Sequence, residues 1–245
     1  MSEPILRLSG VHTHIAEYHI LQGVDLSVPP TGVTVLLGRN GAGKSTTLRT
    51  IMGLWNASRG EIRFAGQDIT AFETADICRR GIAYVPEDMG IFRGLTVQEN
   101  LLLATTSGRF DKERVDWILS FFPALKRFWR RSAGTLSGGQ KQMVAIARAI
   151  IEPRKLLLID EPTKGLAPIM VQALADAFFE LKAKDTTILL VEQNFNFASS
   201  LGDHVAVMDD GRIVHAGSMA DFVESDSLKD NLLGLRASES PNSHV

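Results

Sequence analysis

The sequence predicts an α/β fold with a parallel sheet at its centre, and two observations lead to that prediction. Short, almost continuous apolar runs alternate with helical patterns; they are VTVLL (33–37), GIAYV (81–85), KLLLI (155–159), TTILLV (186–191) and HVAVMD (204–209). Such runs are typical of strands buried on both faces, as in a parallel sheet covered by helices. With 245 residues, of which 44% are hydrophobic, the chain is also long enough to bury a sizeable core.

Three further segments predict antiparallel strands beside that sheet. ILRLSGVHTH and HILQGVDLSV lie near the start of the chain, and EIRFAGQDI covers residues 61–69. Glycines and polar turns bound these segments, as expected for hairpins. We therefore expect a β-rich flap next to the main sheet.

Between about residues 88 and 150 the strand pattern gives way to helices, which predicts a helical insertion. Thr96 and Glu99 have the spacing of a capping box, and Asp111 is a predicted N-cap for the next helix. That helix and another beginning near Pro168 each carry an apolar stripe. The stripes are Val115, Ile118, Leu119 and Phe122, and Met170, Leu174, Phe178 and Leu181.

We expect a single domain over residues 4–235, followed by a polar, aperiodic and disordered tail over 236–245. The formal net charge of -2 argues against nucleic acid as the main partner. Cys78 is the only cysteine, so an internal disulfide is excluded. No uninterrupted apolar run approaches the roughly 18 to 20 residues of a membrane-spanning helix, and the start lacks a secretory pattern. A cytoplasmic location is the expectation.

A phosphate-binding loop is predicted directly after the VTVLL run. GRNGAGKST, residues 38–46, matches G-x-x-x-x-G-K-[ST] and precedes a helical segment, which is the context this motif requires. Backbone N–H groups of such a loop and the positive end of the helix point at the phosphates. Lys44 is expected to bind the β and γ phosphates, and Ser45 to ligate Mg²⁺. The loop residues are Gly38, Arg39, Asn40, Gly41, Ala42, Gly43, Lys44, Ser45 and Thr46.

Two acids end the apolar run KLLLIDEP. Because successive side chains of a strand point to opposite faces, Asp160 and Glu161 can have different roles. The carboxyl end of a parallel strand is also where such sheets bind ligands. We expect Asp160 to hold Mg²⁺ through its water shell and Glu161 to orient and deprotonate a water that attacks the γ-phosphate.

The segment LSGGQ, residues 136–140, decides the family. Ser137 is a predicted helix N-cap, and the small residues after it let backbone N–H groups approach a phosphate. The order of phosphate loop, LSGGQ and DE strand resembles that of the ABC ATPases, over Leu6 to about Leu235. In that family the signature segment completes the ATP site of a second subunit. The resemblance therefore implies a dimer, with Ser137, Gly138, Gly139 and Gln140 contacting the partner's ATP.

Three positions depart together from the general pattern of that family. Glu87 replaces the usual glutamine, the loop Lys164–Gly165–Leu166–Ala167 replaces S-G-L-D, and Gln193 replaces the switch histidine. The trio resembles the ATPases of importers for branched-chain and other hydrophobic amino acids. Glu87 and Gln193 are placed with the catalytic residues on this basis. Unlike histidine, Gln193 can hydrogen-bond a phosphate oxygen but cannot gain charge.

The resemblance also implies an aromatic residue that stacks on adenine. The family's aromatic position falls on Ile15, so Tyr18 is the chosen candidate and His14 the alternative. Residues 87–95, with Ile91 and Phe92, are candidates for docking a membrane partner, although a loop packed on its own insertion is an equal alternative.

The resemblance implies an ATP- and Mg²⁺-dependent importer subunit, peripheral on the inner face of the cell membrane. Its partners would be a second ABC ATPase, identical or homologous, two transmembrane permease subunits and, indirectly, a substrate-binding protein. An exporter or lipid-extraction ATPase is one alternative. A non-transport ABC ATPase acting on ribosomes or DNA is another, although the single cassette without a long heptad run counts against it.

Overall fold

The computed structural model describes residues 3–184 and 186–233, which form two sheets and the helices that cover them. The predicted tail over 236–245 lies outside the described residues, as does the end of the predicted domain at 235. Among the described residues, no helix is both long and apolar enough to cross a bilayer.

The larger sheet has six strands in the order β10-β9-β3-β8-β7-β6. Five of them pair in parallel, and β10 joins the edge antiparallel to β9. Their bounds are β3 (Val33–Gly38), β6 (Ile82–Val85), β7 (Leu156–Asp160), β8 (Thr187–Val191), β9 (His204–Asp209) and β10 (Arg212–Ser218). The α/β prediction is confirmed, and each of the five predicted apolar runs forms one of the parallel strands.

The smaller sheet is antiparallel and has four strands in the order β2-β1-β4-β5. They are β1 (Leu6–Ile15), β2 (Tyr18–Val28), β4 (Ala57–Phe64) and β5 (Gln67–Asp68). The predicted antiparallel flap therefore exists, and it packs beside the larger sheet.

The helices join these strands, and the stretch between β6 and β7 is entirely helical or irregular. Thr96 and Glu99 form the predicted capping box, and Asp111 accepts a hydrogen bond from the Arg114 N–H. The helices are α1 (Lys44–Ile51), α2 (Thr74–Arg79), α3 (Val97–Leu102), α4 (Lys112–Phe121), α5 (Pro123–Phe128), a 3-10 turn (Ala133–Thr135), α6 (Gly138–Ile150), α7 (Pro168–Lys182), α8 (Phe195–Leu201), α9 (Met219–Glu224) and α10 (Asp226–Leu233).

The two faces of the larger sheet pack into two different cores. Leu157, Ile159 and Leu190 belong to the core that contains α6 and α7. Leu158 and Leu189 belong to the core that contains α1 and the antiparallel sheet. Burying one such side chain contributes roughly 1.5 to 3 kcal/mol, which explains why these strands are apolar on both faces. This burial fixes the carboxyl ends of β3, β7 and β8 next to one another.

Candidate active site

The phosphate loop connects the end of β3 to the start of α1, as predicted. Gly38 is in close contact with the backbone carbonyl of Met208 on β9, so a Cβ at this position would collide with that carbonyl. Gly43 has a φ of 108° and precedes the first residue of α1, a backbone conformation that favours glycine. These two glycines shape the loop so that the N-terminus of α1 faces the site.

Lys44 lies at the centre of the site and is only 4% exposed. Its Nζ donates hydrogen bonds to the carbonyl oxygens of Gly38 at 2.9 Å and Arg39 at 3.1 Å. It also lies 3.7 Å from Glu161 Oε1. Burial lowers the pKa of Lys44, and the nearby charges of Glu161 and Asp160 oppose that shift. The ammonium group is thus held between loop carbonyls and a carboxylate.

The rest of the phosphate loop surrounds this lysine. The Ala42 N–H donates to the Arg39 carbonyl at 3.2 Å, which closes the tip of the loop. Asn40, Gly41, Gly43, Ser45 and Thr46 line a cavity in front of the loop. The structure therefore brings six of the nine predicted loop residues together around one space, while Gly38, Arg39 and Ala42 do not line it.

Ser45 and Asp160 are in direct contact. Ser45 Oγ donates a hydrogen bond to Asp160 Oδ1 at 2.9 Å, and the Tyr84 hydroxyl donates to Asp160 Oδ2 at 3.2 Å. Burial raises the pKa of Asp160, while these two hydrogen bonds lower it. Burial, followed by the charge of Asp160, raises the pKa of the Tyr84 hydroxyl.

A hydroxyl and a carboxylate oxygen are ligands that Mg²⁺ prefers. The described residues contain no group of three or more His, Cys, Asp or Glu side chains able to hold a metal ion. The contact between Ser45 and Asp160 fits Mg²⁺, because this ion is usually held by one or two carboxylates together with substrate phosphates.

Glu161 follows β7 directly and has a φ of 45°, an uncommon value for a residue other than glycine. Its N–H donates to the Val191 carbonyl at 2.9 Å, so the residue is tied to the end of β8. One carboxylate oxygen, Oε1, accepts a hydrogen bond from the side-chain amide of Gln193. Such backbone strain persists where surrounding contacts hold the residue in place.

Glu192 is buried and fixes the backbone on both sides of the site. Its Oε1 accepts hydrogen bonds from Thr163 N at 3.1 Å and Thr163 Oγ1 at 2.8 Å, and its Oε2 accepts from Gln193 N at 3.0 Å and Asn194 N at 3.1 Å. Burial raises the pKa of Glu192, and the hydrogen bonds oppose this shift. Sequence reasoning missed this residue, although it stands inside the VEQN segment that drew attention to Gln193.

Glu87 and Lys164 close the site at its rim. Lys164 Nζ donates to Glu87 Oε1 at 2.6 Å and lies 3.5 Å from Glu161 Oε2. The hydrogen bond with Glu87 and the charge of Glu161 raise the pKa of Lys164. The cavity in front of the loop has a volume of about 310 Å³. It is lined by Ile20, Asn40, Gly41, Gly43, Lys44, Ser45, Thr46, Glu87, Glu161 and Lys164.

The signature segment, residues 136–140, lies at the start of α6 and does not reach the cavity of the phosphate loop. Ser137 and Gln140 form a capping box at the start of α6, with Gln140 Oε1 accepting from Ser137 N at 3.0 Å. Ser137 and Gly138 are exposed, whereas Gly139 packs closely on Met170. None of the signature residues lines the cavity of the phosphate loop. The exposure of Ser137 and Gly138 leaves these two residues accessible to another molecule, whereas Gly139 is buried.

Tyr18 begins β2 at the tip of the first hairpin and pairs with Ile15. Its side chain is 72% exposed. The alternative ring, His14, is stacked on His19 with centroids 4.2 Å apart. The structure does not place Tyr18 among the residues lining the cavity, although Ile20, two positions further on the same strand, is among them.

Comparison with known proteins identifies the family. The family model described as ABC transporter matches residues 21–164. The chain belongs to the ABC transporter family. The high-affinity branched-chain amino acid transport ATP-binding protein BraG of Pseudomonas aeruginosa is 39% identical, over 94% of this chain and 100% of the relative. The probable branched-chain amino acid transport ATP-binding protein LivF of Archaeoglobus fulgidus is 36% identical, over 94% and 99%.

Solved structures agree with this assignment. The ADP conformation of an ATP-binding cassette of an ABC transporter superposes with a TM-score of 0.80 at 30% identity, covering 96% of this chain and 100% of the other. A nucleotide-free ATP-binding cassette from an ABC transporter superposes with a TM-score of 0.78 at 31% identity, covering 94% of this chain and 95% of the other. This chain is therefore an ATPase cassette of the ABC type.

Proposed function

We propose that this chain is the ATP-hydrolysing subunit of an importer for branched-chain or other hydrophobic amino acids, acting in a dimer with a second ABC ATPase. The observation that carries the proposal is the meeting of Lys44, Ser45, Asp160 and Glu161 at the cavity of the phosphate loop. The departures at Glu87, Ala167 and Gln193 support the importer subgroup, and the names of the BraG and LivF relatives agree with that choice.

Binding of ATP begins with an exchange of partners at Lys44. Its hydrogen bonds to the carbonyls of Gly38 and Arg39 hold the ammonium group where the β and γ phosphates enter. Phosphate oxygens replace those carbonyls as charge-assisted acceptors, which are stronger partners. The buried, positive lysine then stabilises the negative charge on the transferred phosphoryl group.

Ser45 and Asp160 are the proposed holders of Mg²⁺. When bound, the ion supplies charge neutralisation for the β and γ phosphates. Ser45 would offer its hydroxyl oxygen to the ion, and the Asp160 carboxylate would hold it through water. Tyr84 holds the second oxygen of Asp160, which fixes the orientation of that carboxylate.

Glu161 is the proposed general base. Its carboxylate lies between the Lys44 ammonium group and the Gln193 amide, so it has a defined position at the cavity. A water next to it is oriented toward the γ-phosphate and loses its proton to the carboxylate as it attacks, while the bond from the γ-phosphorus to the β–γ bridging oxygen breaks and ADP leaves. Gln193 and Glu87 position this group and the water.

The exposed signature residues are proposed to complete the site of the second ATPase. Ser137 and Gly138 are available at the start of α6, where backbone N–H groups attract anions. Two cassettes would thus enclose two ATP molecules, and their closure and opening would drive two transmembrane subunits. Phe92 is 53% exposed and is the proposed contact of the segment 87–95 with those subunits.

Affinity purification from gently solubilised membranes tests this function. The tagged chain is expected to bring down two multi-span proteins and a related ATPase, and a substrate-binding protein specific for hydrophobic amino acids is expected to stimulate its ATP turnover in the complex. A matched Phe92→Asp variant should lose the membrane subunits but keep ATP binding. Recovery of ribosomal or DNA-bound proteins with no membrane subunit would contradict the proposal, and stimulation by a lipid alone would favour lipid extraction.

A further inference from the structure

Lys164 bridges two carboxylates that belong to different parts of the chain. Its Nζ is hydrogen-bonded to Glu87 Oε1 at 2.6 Å, across a sequence separation of 77 residues. It also lies 3.5 Å from Glu161 Oε2, the oxygen that Gln193 does not contact. Glu87 stands on the segment after β6, and Lys164 stands on the loop between β7 and α7. The lysine is therefore the direct link between these two loops.

Several carboxylates stand at this cavity, and their negative charges call for a nearby cation. Glu87 and Glu161 both line a space that must receive a negatively charged nucleotide, and Asp160 lies just beside it. Lys44 and Lys164 are the cations on the lining, and Lys44 is the group that faces the phosphates. Like charges that share a site repel one another and disfavour a bound anion. Lys164 is thus the cation available to neutralise Glu87.

One end of the bridge, the pair Lys164 and Glu87, is exposed enough to move. The side chain of Lys164 is 58% exposed and that of Glu87 is 39% exposed, whereas Glu161 is 9% exposed. The carboxylate of Glu161 is held on its other side by Gln193, so it is the fixed end of the arrangement. Displacement of the segment after β6 would pull on Lys164 before it affected Glu161.

We propose that Lys164 is a positioning residue that neutralises Glu87 and holds it beside Glu161, so that the segment after β6 and the hydrolysis site move together. The inference rests on the proposed function, because it assigns Lys164 a part in ATP hydrolysis by Glu161. It predicts that Lys164 matters because Glu87 is charged. With a neutral residue at position 87, removal of the lysine should lower kcat much less.

A double-mutant cycle tests this dependence with the purified chain in its complex. Lys164→Ala should lower kcat by about fivefold or more with a smaller effect on KM, because phosphate binding by Lys44 is retained. Lys164→Arg, which preserves the charge, should recover most of kcat. In a Glu87→Gln background, the same Lys164→Ala change should cost at least about threefold less than it does beside Glu87. Lys112→Ala, an exposed lysine on α4 outside the site, is the matched control.

Each outcome bears on a separate claim. An equal cost of Lys164→Ala in both backgrounds, or no cost beside Glu87, would overturn the role of Lys164 while leaving ATP hydrolysis by the chain intact. A loss that Lys164→Arg does not recover would also overturn it, since the charge would then not be the property that matters. Absence of turnover in the unaltered complex, with ATP still bound, would instead contradict the proposed function. Unchanged melting temperatures show that a loss does not come from unfolding.

Discussion

The side-chain amide of Gln193 donates a hydrogen bond to the Glu161 carboxylate, which joins the ends of two adjacent strands at the proposed hydrolysis site. Glu192 strengthens this junction, because it accepts hydrogen bonds from the backbone of Gln193 and from Thr163. The oxygen of Glu161 on this side is therefore occupied by a neutral donor. The other oxygen faces Lys164.

Replacement of Gln193 should change the pH dependence of hydrolysis. Gln193→Ala is expected to lower kcat by about tenfold or more, because a donor aimed at the reacting groups is lost. Gln193→His should restore much of the rate and introduce an ionisation near pH 6.5 into the kcat profile. The measurement is kcat between pH 5.5 and about 8.5. Identical profiles for the His variant and the unaltered chain would show that this side chain does not act in the rate-limiting step.

Lys44→Ala should weaken ATP binding. The lost charge-assisted hydrogen bonds are worth about 1.5 to 3 kcal/mol, which corresponds to roughly 10- to 100-fold in affinity. Titration with a fluorescent ATP analogue measures the effect, and Lys112→Ala serves as the control. Unchanged affinity in Lys44→Ala would remove this lysine from the phosphate site.

Asp160→Asn should raise the Mg²⁺ concentration required for half-maximal turnover. Loss of the carboxylate removes a negative charge that acts on the ion through water, and changes of this kind typically cost about 10- to 100-fold in metal affinity. Mg²⁺ titration at saturating ATP gives the value. Asp116→Asn, an exposed position on α4, provides a matched comparison. If both variants respond to Mg²⁺ like the unaltered chain, Asp160 is not the metal-side carboxylate.

Tyr18→Ala should raise the KM for ATP by about fivefold or more, because stacking of a base on an aromatic ring is worth about 1 to 3 kcal/mol. Tyr18→Phe keeps the ring and should preserve KM. Steady-state kinetics of these variants and of His14→Ala decide between the two rings. A loss in His14→Ala without one in Tyr18→Ala would move the adenine contact to the histidine stacked on His19.

The parallel sheet and the phosphate site were predictable because local patterns encode them. The five apolar runs are buried on both faces. Near-continuous apolar runs of this length are typical of strands in a parallel sheet. The phosphate loop is a continuous segment, and Asp160 and Glu161 follow a strand directly. Strand β10 was not predicted, because none of its residues is buried and its alternation carries little apolar signal.

The contacts at the rim of the site could not be predicted from the sequence. Glu87 and Lys164 are 77 residues apart and stand on separate loops, so only tertiary packing pairs them. Glu192 directly follows β8, and its two hydrogen bonds from Thr163 depend on the position of the loop after β7. Spacing in the sequence identifies the residues of a motif, but it does not identify the partners that hold them.

The most direct test of hydrolysis at this site is the behaviour of Glu161→Gln. The amide keeps the shape of the side chain but cannot accept the proton of the attacking water. ATP turnover should therefore fall to background while ATP binding persists, and light scattering should detect a stable dimer in ATP. Glu180→Gln, an exposed position on α7, should behave like the unaltered chain. Full turnover in Glu161→Gln would contradict the account.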